Sequence, residues 1–175
     1  MRVLAGYATQ EGHTAEIARR VAAQIAAAGH AADLLPLRKA IRRAPSDYDR
    51  AILAAPVHLG RYHRDLRRYA ARHADTLAQM PVLFLSVSLS AAGQDAGDWQ
   101  GLGRVLDGLA AATGWRPARV EQVAGAYRPE RYGWLARPAM RRVLAARDPG
   151  ADPRKVHVYT DWAALERAVE RFLAG

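Results

Sequence analysis

Three short stretches of this chain, residues 3–8, 51–56 and 82–88, are almost wholly apolar, and amphipathic helical patterns separate them. A strand exposed on one face alternates apolar with polar residues. An unbroken apolar run therefore indicates a strand covered on both sides. Residues 31–35, closed by Pro36, and 120–126 read as two further strands. Ile17, Val21 and Ile25 recur at helical spacing before Gly29, as do Leu66, Tyr69, Ala70, His73 and Leu77. Leu102, Val105, Leu106 and Leu109 mark a third helix ending near Gly114. A last helix, capped at Thr160-Asp161, turns Trp162, Leu165, Val169 and Phe172 inward. Strands alternating with helices make βαβ units and a doubly wound α/β sandwich. Five strands suit a parallel sheet in the order 2-1-3-4-5, in which ligands lie beyond the carboxyl ends of the strands. The loops 9–14, 56–63 and 88–93 then converge, the last of them running on through Gly97, and residues 57–62 are expected to be loop throughout.

The first of these loops, Thr9-Gln10-Glu11-Gly12-His13-Thr14, has the makings of an anion site. Strand, tight turn and helix in that order aim free backbone N–H groups and a helix N-terminus at one point. Gly12 permits the turn, and Thr9 and Thr14 add hydroxyls. Neither a nucleoside-triphosphate loop nor a dinucleotide fingerprint is present, and His13 stands where the former has lysine. A single phosphate fits the loop. A plain strand-to-helix turn with a threonine cap fits it as well.

Composition excludes more than it selects. With 175 residues, half of them hydrophobic, a single domain over 1–175 is expected. No cysteine is present, which removes disulfides, thiol nucleophiles and iron–sulfur ligation, and the six histidines lack metal-ligand spacing. No apolar run reaches the ~18 residues of a spanning helix, and the first strand begins at once; a cytoplasmic protein is the expectation. The net charge of +9 is uneven, for residues 126–155 hold seven Arg and one Lys against Glu130, Asp148 and Asp152. That stretch is also far longer than an ordinary connection. We read about 127–155 as a basic insertion interrupting the last strand, with a weakly amphipathic helix starting near Pro138 and strand resuming at 156–160. It can lie on anionic lipid, close over a substrate, or be solvated. A nucleic-acid role rests on charge alone, since the aromatics do not interleave with the basic residues, and no nucleic-acid partner is expected.

Beyond these readings, four stretches carry a resemblance: the loop at 9–14, the sequence APVHLGRYH at 55–63, GAYR at 125–128 with Arg131, Tyr132 and Trp134, and VYTDW at 158–162. Together they resemble the menaquinone-dependent protoporphyrinogen IX dehydrogenase family, of long-chain flavodoxin type, over essentially the whole chain. The resemblance implies a flavodoxin-like fold and an FMN cofactor. The FMN phosphate would sit in Thr9, Gln10, Glu11, Gly12, His13 and Thr14. Its ring would lie between Pro56, Val57, His58, Leu59, Gly60 and Tyr62 on one side and Ser88, Leu89, Ser90 and Ala91 on the other. It further implies oxidation of protoporphyrinogen IX for haem synthesis, six electrons in three two-electron turns, delivered to menaquinone or another quinone. The enzyme would be peripheral to the inner membrane, and a homo-oligomer is left open.

His63 and His58 are candidates for proton transfer, with a loop or helix-start hydrogen bond as the alternative. Tyr62 is a candidate to stack on the flavin. Arg61 and Arg64 are candidates for porphyrin carboxylates, or for a solvated helix face. Arg128, Arg131, Trp134, Arg137, Arg141 and Arg142 are candidates for substrate or membrane contact. The insertion carries fewer large apolar residues than the family pattern, and Pro56-Val57-His58 depart from it beside the ring. Two other functions fit the same fold: an NAD(P)H:quinone reductase, and an electron-carrier flavodoxin, which the positive charge disfavours.

Overall fold

The computed structural model describes residues 1–92 and 96–175. Five parallel strands form the central sheet: β1 (Arg2–Tyr7), β2 (Ala31–Pro36), β3 (Arg50–His58), β5 (Val82–Ser88) and β6 (Arg119–Ala124). Their order is β2-β1-β3-β5-β6, which is the expected 2-1-3-4-5 when the parallel strands alone are numbered. The apolar runs are explained by the two faces they serve. Leu4, Ala51, Leu53, Ala55, Val82 and Phe84 point into one core with Leu66, Tyr69, Leu109 and Trp115. Their neighbours Val3, Ala5, Ile52, Ala54, Leu83, Leu85 and Val87 point into the other, with Ile17, Val21, Ile25, Val169 and Phe172. Successive residues of a strand face opposite ways, so a sheet covered twice needs every position apolar.

Helices α1 (His13–Ala27) and α7 (Trp162–Ala174) cover the second face. The first face is covered by α2 (Leu37–Ala40), α3 (Arg64–Arg72), α4 (Ala74–Gln79) and α5 (Ala96–Thr113). Helix α7 begins as expected, with the Asp161 carboxylate accepting from the Ala164 N–H at 2.9 Å. The helix expected through Leu66, Tyr69, Ala70, His73 and Leu77 is two pieces, divided at His73, whose φ of −122° leaves the helical region. Gly97 lies inside α5 rather than in a loop, and the expected loop residue Gly93 is outside the described residues.

Two departures bear on the site. Residues 57–62 are a hairpin, not a loop. Strand β3 continues through His58, turns at Leu59 (φ 49°) and Gly60 (φ 71°), and returns as β4 (Arg61–Tyr62). Val57 pairs with Tyr62 and His58 with Arg61. Two successive positive φ values suit the tight right-handed twist of a two-residue hairpin.

The second departure concerns the insertion, which does not simply interrupt the last strand. The chain leaves the sheet at Gly125, whose N–H donates to the Ser88 carbonyl at 2.9 Å. There β7 (Ala126–Tyr127) pairs antiparallel with β8 (His157–Val158), so residues after the insertion fold back on its entry and never rejoin the sheet. Between the two strands lies α6 (Arg137–Arg147), with Pro138 in its first turn, where a missing N–H costs nothing. Tyr127, Tyr132 and Leu144 form a small core of their own, joined by Leu89, Met140 and Tyr159.

Candidate functional site

A cleft of about 290 Å³ opens where the expected loops meet at the carboxyl ends of β1, β3 and β5. Thr9, Gln10, Glu11, His13 and Thr14 form one wall, residues 56–60 of the hairpin a second, and Val87, Ser88, Leu89 and Ser90 a third. The roof is the insertion: Tyr132 with Ala139, Met140 and Val143, the last three along one face of α6.

The first wall is built as an anion cradle. Gly12, at φ 91°, occupies the left-handed region and turns the chain into α1. Its N–H donates to the Thr9 hydroxyl at 3.0 Å, which fixes the loop around its own first hydroxyl. Thr14 is buried in the first helical turn. His13 is only 5% exposed. Its Nε2 lies 2.7 Å from the Thr160 hydroxyl, and that hydroxyl donates to the Ala124 carbonyl. Its Nδ1 is buried with no hydrogen-bond partner.

Charge is arranged around this loop. Burial raises the Glu11 carboxyl above its usual range, against the opposing pull of Tyr132 and Arg128. The Tyr132 hydroxyl accepts from the Arg128 N–H at 3.2 Å, and burial raises the phenol strongly. Arg128 pairs with Glu16 of α1 at 3.1 Å. Arg147 of α6 pairs with Asp98 of α5. The insertion is thus tied at both ends over the cleft.

Of the residues expected to hold the cofactor, Thr9, Gln10, Glu11, His13, Thr14, Pro56, Val57, His58, Leu59, Gly60, Ser88, Leu89 and Ser90 line the cleft. Gly12 contributes the turn. Tyr62 does not line it. Its ring packs edge-on to Phe84 at 5.0 Å, and its hydroxyl meets Ser86 at 2.9 Å. Burial pushes this phenol up to about 12. Ala91 borders a different hollow, with Gln122 and Tyr159. His63 caps α3, its Nδ1 accepting from the Asp65 N–H at 3.2 Å, and it lies outside the cleft wall. That is the helix-start fate named as its alternative. His58 does line the cleft.

Among the arginines, Arg61, Arg64, Arg131, Arg137, Arg141 and Arg142 are exposed, whereas Arg128 is half-buried in its pair with Glu16. Trp134 is 79% exposed. Sequence reasoning missed Tyr132 and the Ala139–Met140–Val143 face as parts of the site. The 3-4 spacing of that face was visible, but what it packed against was not. Among the described residues no cluster of His, Asp or Glu could hold a metal ion.

A five-stranded doubly wound sheet with a hydroxyl-bearing anion loop after its first strand defines a flavodoxin-like protein. The flavodoxin domain model matches residues 4–152. The protoporphyrinogen IX dehydrogenase [quinone] of Escherichia coli K12 is 32% identical over 162 residues, covering 93% of this chain and 89% of that protein. A protein of the same name from Leishmania major is 28% identical, covering 96% of this chain and 73% of its own. The chain belongs to the flavodoxin domain family and, within it, to the family of these protoporphyrinogen IX dehydrogenases. Among solved structures, a flavo di-iron protein from Thermotoga maritima aligns with TM-score 0.54 and 14% identity, over 99% of this chain and 35% of its own. That likeness shows the fold alone.

Proposed function

We propose that this protein is an FMN-dependent oxidoreductase that oxidises protoporphyrinogen IX to protoporphyrin IX and passes the electrons to a quinone. The observation carrying this reading is the cleft: an anion cradle at one end, apolar walls at the hairpin and Ser88–Ser90 loops, and an apolar roof of Met140 and Val143. The residues fit FMN. Thr9, Gly12 and Thr14 with the N-terminus of α1 would hold the phosphate, and the orphaned Nδ1 of His13 marks a polar group with capacity to spare. Val57, Leu59 and Leu89 would flank the ring. When bound, FMN supplies two-electron redox chemistry. The chain's own part is to hold it, shield it from water beneath α6, and admit substrate beside His58. The relationship to proteins named for this reaction supports the assignment.

Visible spectroscopy tests it. Protein reconstituted with FMN is expected to bleach on anaerobic addition of protoporphyrinogen IX and to regain colour with a menaquinone analogue. Bleaching by NAD(P)H alone would instead indicate the quinone-reductase activity.

The acceptor is a membrane quinone, and the protein docks peripherally on the cytoplasmic face of the inner membrane. Among the described residues no helix is long and apolar enough to cross a membrane. Leu59 (83% exposed) and Val143 of the cleft lining, however, present apolar side chains to solvent, as do Trp134 and Leu135, which follow Tyr132 in the chain. Arg137, Arg141 and Arg142 on α6 are exposed beside them. An apolar edge with a basic fringe suits an anionic bilayer, to which each Lys or Arg adds about 1 kcal/mol. Replacing Arg141 and Arg142 by glutamate is therefore expected to weaken binding to anionic liposomes by at least about thirtyfold. FMN affinity should be unchanged. Sedimentation with phosphatidylglycerol vesicles measures the first, and equal partitioning of wild type and variant would refute the docking surface.

A further inference from the structure

We propose that His13 couples occupation of the phosphate loop to uptake of one proton: its Nδ1 is protonated when a phosphomonoester dianion enters, and the imidazolium stabilises that dianion. The inference rests on the FMN reading and says how this chain's loop neutralises the phosphate without a lysine or arginine of its own.

The tautomer follows from the hydrogen bonds. The Thr160 hydroxyl has one proton, which it donates to the Ala124 carbonyl at 2.7 Å. Toward His13 it can only accept, so Nε2, also at 2.7 Å, carries the imidazole proton. Neutral His13 then presents a bare lone pair at Nδ1, in a residue 95% buried, with no donor to meet it. The nearest charged group is the Glu16 carboxylate, 3.6 Å away and itself an acceptor. With His13 neutral, two acceptors face each other. A proton on Nδ1 removes that conflict.

The groups around the ring set the balance. From its own helix comes Glu16, which favours the charged form. From the entry to the insertion comes Arg128, which opposes it and already holds Glu16 at 3.1 Å. From the start of α7 come Thr160 and the Trp162 ring, the latter edge-on at 5.9 Å and itself covered by the Arg20 guanidinium at 3.9 Å. Burial is the largest influence and lowers His13 below its usual value. A dianion in the loop at the first turn of α1, where His13 lines the same wall as Thr9 and Thr14, tips the balance the other way.

The sign is then fixed. The bound-state value lies above the free-state value, so the extra affinity is complete below the free-state value and lost as pH rises through the bound-state one. Ionisation of the phosphate acts oppositely, near pH ~6, so the window above that separates the two.

Calorimetric titration with FMN in two buffers of different ionisation enthalpy, at pH 7 to 8, is expected to show uptake approaching one proton. FMN affinity should fall by up to about tenfold per pH unit between the free-state and bound-state values and level off above the latter. Riboflavin, which lacks the phosphate, should bind without uptake. His13→Gln, kept only if its circular dichroism and riboflavin binding match wild type, should abolish uptake and flatten the pH profile. Nitrogen NMR of wild type reads the same event without a variant, as Nδ1 moving to the protonated range on FMN addition. FMN binding with no proton uptake, uptake surviving in His13→Gln, or an unprotonated Nδ1 in the complex would each overturn the proposal. Absence of FMN binding at every pH would overturn the cofactor reading and this one with it.

Discussion

Truncating Phe84 to alanine is expected to destabilise the protein by about 3–5 kcal/mol, a large part of the total stability of a domain. Phe84 is fully buried on β5 and is the centre of an aromatic row, edge-on to Tyr62 at 5.0 Å and to Trp115 at 5.8 Å. Its removal leaves a cavity that neither neighbour can fill, because each is fixed elsewhere. Tyr62 is held through its hydroxyl to Ser86, and the backbone N–H of Trp115 donates to the Thr113 hydroxyl, fixing the chain that carries the indole. The loss reaches the cleft as well. Tyr62 ends the hairpin that carries His58, Leu59 and Gly60 to the cleft wall, so its loosening should also weaken FMN binding. Urea unfolding and flavin-fluorescence titration of the same variant measure the two effects. A shift below 1 kcal/mol would show that the row is not a packed unit.

Thr14→Val is expected to lower FMN affinity by about ten- to a hundredfold while riboflavin affinity stays constant. A hydrogen bond to a charged group is worth about 1.5–3 kcal/mol, and valine has nearly the same shape. Thr14 is buried in the first turn of α1 and lines the cleft, so the hydroxyl is the only thing removed. The riboflavin control separates a lost phosphate contact from a damaged pocket. Equal FMN affinity of variant and wild type would place the phosphate elsewhere.

How much of this was legible beforehand depends on the range of the interactions involved. The strands through 3–8, 51–56 and 82–88 could be read because a sheet covered on both faces demands apolar residues at every step, a local property of the sequence. The loop at 9–14 was legible for the same reason: Gly12, two hydroxyls and a helix start act within six residues. Helix α7 announced itself through Asp161 and the spacing of Leu165, Val169 and Phe172.

The misread places are those where a partner far along the chain decides. Tyr62 reads as a loop aromatic free to stack on a ligand until Phe84 and Ser86, more than twenty residues on, draw it into the core. The hairpin at 57–62 depends on Leu59 adopting a positive φ, which its side chain does not advertise. The stretch 156–160 has strand propensity but no local means of choosing a partner. Gly125 leaving the sheet beside Ser88 gives it β7 rather than the sheet edge.

The sequence alone therefore determined the sheet, the helices that cover it and the position of the anion loop, since each follows from side-chain period and turn chemistry over a few residues. Tertiary structure decided what the thirty-residue basic insertion does. Its composition permits lipid contact, closure or solvation alike. Only the pairing of Arg128 with Glu16 and of Arg147 with Asp98, with Met140 and Val143 turned toward the loops, makes it the roof of the cleft. Those contacts join residues about fifty to over a hundred positions apart, and nothing in the spacing of either partner encodes the other.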